Sequence, residues 1–170
     1  MKDELIFVVE KKADAALLRS LLTYCVPRCH FDFYAAQGKL LLASLATSIA
    51  VDTRCPVMVV GDTGTLDPED AHYFEYDHLA FTELVVPQGM MDAFAFSPSL
   101  EQVVADAVTA DPPGSEGTAL EQRIAHTPLQ QLRGHPQLSR FLEAVDALQL
   151  LLTPAPIEQA EQPAYEPAMK

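Results

Sequence analysis

Apolar residues in this sequence occur in two arrangements that alternate along the chain. Residues 5–9 are apolar throughout and include three β-branched side chains, which is typical of a strand buried on both faces of a parallel sheet. Directly afterwards, Ala13, Leu17 and Leu21 recur at the spacing of an amphipathic helix. The same alternation predicts strands at residues 5–9, 31–35, 56–60 and 83–86, and helices at residues 12–24, 40–50, 90–96 and 100–108, with two more beginning at Pro68 and Pro136.

The order of these elements favours an α/β fold. Strands that alternate with helices over short connections indicate a mostly parallel, four-stranded, Rossmann-like sheet with helices on both faces. We expect this domain to occupy residues 1–110, and a linker with C-terminal helices packed on the domain to occupy residues 111–152. Residues 153–170 are rich in Pro, Glu and Gln and lack apolar periodicity, so we expect a disordered tail that is dispensable for folding.

The charge balance restricts the possible partners. The chain has 11 basic and 24 acidic residues, giving a net charge of −13. Such a chain does not hold a nucleic-acid backbone by bulk electrostatics, so contact with nucleic acid would require metal ions, a local basic patch or a basic partner. The three cysteines do not form a zinc pattern, and no apolar run is long enough for a membrane span. We therefore expect a cytoplasmic protein with reduced thiols and no membrane partner.

Acidic residues directly follow two of the predicted strands. Glu10 ends the first strand, and Asp14 lies about one helical turn later; Asp62 ends the third, and Asp67 follows in the next loop. Ligands of parallel α/β sheets bind beyond the carboxyl ends of the strands, and carboxylates are the hard oxygen ligands that Mg²⁺ requires. The same residues also suit turns and helix starts, where they favour the helix dipole. Spacing alone leaves both interpretations open.

Four segments, taken in order, carry a family resemblance. Residues 7–18 form an apolar strand ending in a Glu with an Asp four residues later, and residues 56–65 form an apolar strand ending in an Asp. Residues 36–39 form a small-residue Gly-Lys turn, and residues 85–94 include a Pro followed by small and aromatic residues. Together they resemble the motifs of Toprim domains, the metal-dependent phosphoryl-transfer fold of topoisomerases, primases and OLD-type nucleases, and are closest to the stand-alone and OLD-type members.

The resemblance implies particular roles for single residues. Glu10 and Asp62 would be catalytic, and Mg²⁺ or Mn²⁺ would be held by Glu10, Asp14 and Asp62, with Asp67 as a substitute ligand. Lys11 and Lys39 are candidates for contacting substrate phosphate. The implied activity is hydrolysis of nucleic-acid phosphodiesters, with a separate ATPase or nuclease subunit as a protein partner.

Three positions depart from the family pattern. Gly64 stands where the second Asp of an Asp-x-Asp motif is expected, Lys11 replaces a Gly, and Met91 replaces a Glu, although Asp92 stands beside it. These departures support an alternative in which a catalytically degenerate Toprim-like module acts by binding protein partners. In that case Lys11 would place fixed positive charge where a metal ion would otherwise lie.

A receiver-like or flavodoxin-like domain would show the same alternation of strands and helices. A working receiver requires a late lysine, and no lysine occurs between Lys39 and Lys170. Asp62 alone would fit the position of a phospho-acceptor.

Overall fold

The computed structural model describes residues 4–80, 86–87, 89–109, 117 and 119–152. The strands are β1 (Glu4–Val9), β2 (His30–Ala35), β3 (Val57–Asp62) and β4 (Met91–Phe96), and the helices are α1 (Lys12–Cys25), α2 (Leu42–Thr53), α3 (Pro68–Ala80), α4 (Leu100–Ala107), α5 (Leu120–His126), α6 (Leu129–Gly134) and α7 (Pro136–Gln149), with a 3₁₀ turn at Lys39–Leu41.

The strands form one parallel sheet, as predicted. Its order is β2-β1-β3-β4, and all three pairings are parallel. The two central strands are β1 and β3, and almost every residue in them is buried. Their position explains the continuous apolar runs, since a central strand of a covered sheet meets a helical layer on each face.

Helices cover the two faces unequally. The face with Phe7, Val9 and Val60 packs against α1, α4 and the three C-terminal helices, whereas the face with Val8 and Val59 packs against α2 and α3. The chain therefore passes from β1 to β2 through α1 on the first face, whereas it passes from β3 to β4 through α3 on the second face. These opposite directions make a topological switch point between β1 and β3, where ligands of such sheets usually bind.

The prediction of a helix at residues 90–96 is wrong, because Met91–Phe96 is the edge strand β4. Phe94 and Phe96 pack on one face of the sheet, and Ala93 and Ala95 fill the shallower space on the other. Met and Ala favour helices in isolation, but the vacant edge of β3 decides the conformation. Of the strand predicted at 83–86, residues 83–85 lie outside the described residues, and Val86 lies in a bend.

Carboxylates accept hydrogen bonds from outward-facing N–H groups on the two edge strands of the sheet, β2 and β4. In β2, the carboxylate of Asp32 accepts the N–H of Phe33 at 2.8 Å. In β4, Glu75 of α3 accepts the N–H of Ala95 at 3.4 Å and is ion-paired with Arg140 of α7. Unpaired edge groups are templates for pairing with another chain, so these contacts protect the sheet from edge-to-edge association.

The C-terminal helices belong to the larger core. Ile124, Leu132, Phe141 and Val145 are buried in the same cluster as Phe7 of β1. Pro136 begins α7, as its suitability for a first helical position predicts. Residues 111–116 and 118 of the predicted linker and helical region at 111–152, and the whole tail at 153–170, lie outside the described residues. Among the described helices, none has the length and apolar character needed to cross a membrane.

Candidate functional site

Glu10 and Asp62 lie at the same end of the sheet, where the parallel strands have their carboxyl ends, as predicted. Val9 of β1 pairs with Val60 of β3 in parallel register; Glu10 is the next residue after Val9, and Asp62 is the last residue of β3. Both therefore lie at the carboxyl ends of adjacent central strands, on either side of the switch point.

Asp62 is held at the start of α4. One of its carboxylate oxygens accepts the backbone N–H of Leu100, the first residue of that helix, at 2.8 Å. Burial raises the pKa of Asp62 above its ordinary value of 3.8, and this hydrogen bond acts in the opposite direction. The charges of Asp14 and Glu10 raise the pKa further, whereas that of Lys11 lowers it. These effects show that the four charged groups lie within electrostatic range of one another.

Asp14 has an equivalent place at the start of α1. Its carboxylate accepts the backbone N–H of Lys11 at 3.2 Å, which satisfies one of the free donors at the helix start. Burial raises the pKa of Asp14, Lys11 lowers it, and Glu10 and Glu101 raise it. Asp14 is therefore half-buried among like charges.

Glu101 is a fourth carboxylate of this group, and the sequence reasoning missed it. It lies in the first turn of α4, directly after β4. With a helix predicted at residues 90–96, no strand is expected to bring Glu101 to the carboxyl end of the sheet. The available signal was the alternation of Ala and Phe over residues 93–96, which suits a strand with one deep and one shallow face.

Lys11 supplies positive charge to the carboxylates. Its side chain is exposed, and its charge lowers the pKa of both Asp14 and Asp62. This is the position at which Toprim motifs usually have Gly. A permanently attached cation thus compensates part of the repulsion among Glu10, Asp14 and Asp62.

Asp67 has a separate structural role. It immediately precedes α3, and its carboxylate accepts the N–H of Glu69 at 2.9 Å, as an N-cap residue does. Its side chain is exposed, and the acidic neighbours that raise the pKa of Asp62 are Asp14 and Glu10. The structure therefore gives Asp67 a local role at the start of α3, and its role as a substitute ligand stays a prediction.

Gly64 leaves an open space in the loop between β3 and α3. It adopts a positive φ of 77°, which suits Gly and is tolerated by Asp, and a Cβ added there would have no atom within 4 Å. Its N–H donates to the carbonyl of Pro98 at 2.8 Å. The loop is thus fastened to the β4–α4 connection, and a side chain at residue 64 could be accommodated.

The donors do not make a ready metal site. Within the part of the chain that the structure describes, no three His, Cys, Asp or Glu side chains form a group that could hold a metal ion. Asp14, Asp62 and Asp67 each accept an N–H at the start of a different helix. Each of these hydrogen bonds occupies one carboxylate oxygen, and the Mg²⁺ or Mn²⁺ site implied by the Toprim resemblance stays a prediction.

The two candidate phosphate-binding lysines have different surroundings. Lys11 lies with the carboxylates, whereas Lys39 lines a cleft of about 400 Å³ between the 3₁₀ turn and α3. Thr63, Phe74 and His78 also line this cleft, which lies on the face of the sheet covered by α2 and α3. The proposed contact of Lys11 and Lys39 with substrate phosphate stays a prediction.

Comparisons of this chain with protein-family models, with curated proteins and with solved structures give no match. The likeness to Toprim domains consequently depends on the four sequence segments alone.

Proposed function

We propose that this chain is a catalytically degenerate, Toprim-like binding module that acts through a protein partner. The observation that carries the proposal is the use of the three aspartates: Asp14, Asp62 and Asp67 each accept a helix-terminal N–H. These hydrogen bonds satisfy helix-start N–H groups whether or not any ion is bound, and for the N-cap residue Asp67 the loss of such an acceptor typically costs about 0.5–2 kcal/mol. Their presence therefore has a structural reason that is independent of catalysis.

Three further features support the proposal. Lys11 places its charge among the carboxylates, so a divalent ion would have to overcome repulsion from an ammonium group that cannot leave. Gly64 contributes no side-chain oxygen at the position of the second motif aspartate. A net charge of −13 disfavours direct nucleic-acid binding and favours a basic protein partner.

A second candidate is weak binding of a single divalent ion, with phosphodiester hydrolysis. It is favoured by the raised pKa values of Asp14 and Asp62, because burial and mutual repulsion of carboxylates are what a bound cation relieves. Glu10, Asp14 and Asp62 would be the ligands, and their carboxylate oxygens suit Mg²⁺ or Mn²⁺.

Melting in the presence of metal distinguishes the two. A ligand that binds only the folded state raises the melting temperature, and at a hundred times its Kd it contributes about 2.7 kcal/mol. The proposal predicts the same shift in millimolar Mg²⁺ or Mn²⁺ for wild type, Glu10→Gln and the control Asp106→Asn, an exposed residue of α4. It also predicts no cleavage of single- or double-stranded DNA or RNA. A metal-dependent rise that Glu10→Gln removes and Asp106→Asn retains would refute the proposal and favour the second candidate, whose hydrolysis is tested by the cleavage assay.

A further inference from the structure

Large apolar side chains are exposed on the layer formed by α2 and α3. Leu40 is 97% exposed, Leu66 is 80% exposed, and Tyr73 and Tyr76 are both more than half exposed. Single exposed apolar residues are ordinary, and Leu150 at the end of α7 is another, but these four share one helical layer and its adjoining loops. This layer covers only one face of the sheet, and the described C-terminal helices lie on the other.

A groove crosses this layer. The cleft of about 400 Å³ adjoins a second one of about 210 Å³, and the two share Leu40, Asp77 and His78. Phe74 and His78 form a stacked pair with ring centroids 4.0 Å apart. The groove is thus lined by one leucine and two rings and has acidic residues beside them, so it can take a large apolar side chain together with a cationic one.

The layer formed by α2 and α3 carries an excess of negative charge. The sequences of α2 and α3 contain no Lys or Arg, whereas α2 contains Asp52 and α3 contains Glu69, Asp70, Glu75 and Asp77. Glu75 is ion-paired with Arg140, but Asp70 and Asp77 line the groove and are exposed. Lys39 is the basic residue at one end of the groove. The excess of negative charge identifies a basic partner as the complementary one.

We propose that this groove, lined by Leu40, Asp70, Phe74, Asp77 and His78, binds a Lys/Arg-rich segment of a partner protein that inserts one large apolar side chain. The inference rests on the proposed role as a binding module and adds the chemistry of the partner. The apolar side chain packs against Leu40 and Phe74, and the basic residues of the segment pair with Asp70 and Asp77.

Fluorescence anisotropy with labelled synthetic peptides tests this on the full chain. The probe is a Lys/Arg-rich peptide with one central Leu, and its matched forms carry Ser for that Leu or Glu for the basic residues. We expect binding of the probe alone, weakened by added salt, and about tenfold weaker for Leu40→Ser and for Asp77→Asn. Leu150→Ser and Asp146→Asn, equivalent changes of exposed residues at α7, are expected to bind as wild type does.

Three results would overturn the proposal: no binding of the probe to wild type, equal binding of the matched peptides, or equal losses in the control variants. Self-association that Leu40→Ser abolishes, measured by sedimentation without peptide, would assign the groove to a second copy of the chain. A metal-dependent stabilisation that Glu10→Gln removes would refute the proposed function at the sheet edge, and it would be seen whether or not the peptide binds.

Discussion

Replacing Asp62 with Asn and with Ala separates its two properties, the hydrogen bond and the charge. An Asn oxygen can still accept the N–H of Leu100, which Asp62 accepts at 2.8 Å, whereas Ala cannot. Both substitutions remove the negative charge that Asp14 and Glu10 repel. If the carboxylate serves mainly as a helix-start acceptor, only Ala should be harmful.

The size of the effect follows from the surroundings of Leu100. That residue is 1% exposed, so its N–H would lose its acceptor in a poorly solvated place. Leaving such a donor unsatisfied costs about 1–3 kcal/mol, which lowers the melting temperature of a chain of this size by about 2–12 °C. For Asp62→Asn we expect a melting temperature at neutral pH equal to or above that of wild type.

The pH dependence has a definite sign. Because the pKa of Asp62 in the folded state is raised above 3.8, the folded state binds more protons than the unfolded state between these two values. The contribution of Asp62 to stability therefore falls as pH rises through that window, and the cost is fully present at neutral pH. The advantage of Asp62→Asn over wild type should be greatest at neutral pH and should vanish as pH approaches the ordinary carboxyl pKa.

Thermal melts followed by circular dichroism, from neutral to acidic pH, measure both effects. Asp106→Asn, at an exposed site on α4, controls for the general loss of one negative charge. A loss of stability in Asp62→Asn as large as that in Asp62→Ala would refute the reasoning. It would mean that the negative charge itself is required, as at a cation site.

Two further predictions concern packing and the sheet edges. Gly61→Ala should lower the free energy of unfolding by about 1–3 kcal/mol in denaturant titrations, because the new Cβ would lie 2.4 Å from the ring of Phe74. The control Gly134→Ala, where a Cβ meets no atom within 4 Å, should leave the free energy of unfolding nearly unchanged. Equal effects of the two substitutions would contradict the packing argument. Asp32→Ala and Glu75→Ala should each increase self-association measured by light scattering, because each leaves an N–H of an edge strand without its acceptor. Particle sizes unchanged from wild type would show that these carboxylates do not prevent pairing of edge strands.

The central sheet could be predicted because its residues satisfy local and tertiary preferences at once. The runs at 5–9 and 56–60 are apolar throughout and rich in β-branched residues, as central strands are, and both are buried as β1 and β3. The last strand could not be placed in this way. In β4 the shallow space beneath α3 suits the small residues Ala93 and Ala95, whereas alanine by itself favours a helix.

The candidate site was predictable in position but not in chemistry. The sequence places Glu10 and Asp62 after adjacent strands, and parallel pairing brings them to one edge. The sequence does not show which carboxylate oxygens accept hydrogen bonds from the backbone. The hydrogen bond from Leu100 to Asp62 joins residues 38 apart in the chain, and it depends on where β4 ends and α4 begins. The role of Asp62 therefore became visible only with the packed helices.

Calorimetric titration of the full chain with Mn²⁺ tests most directly whether these aspartates serve as helix-start acceptors or as metal ligands. The account predicts no heat of binding at millimolar metal for wild type and none for Gly64→Asp, since Asp14 and Asp62 remain hydrogen-bonded to helix N–H groups and Lys11 keeps its charge among them. Saturable binding to wild type that is strengthened by Gly64→Asp and lost in Asp62→Asn would contradict it and would identify the sheet edge as a metal site.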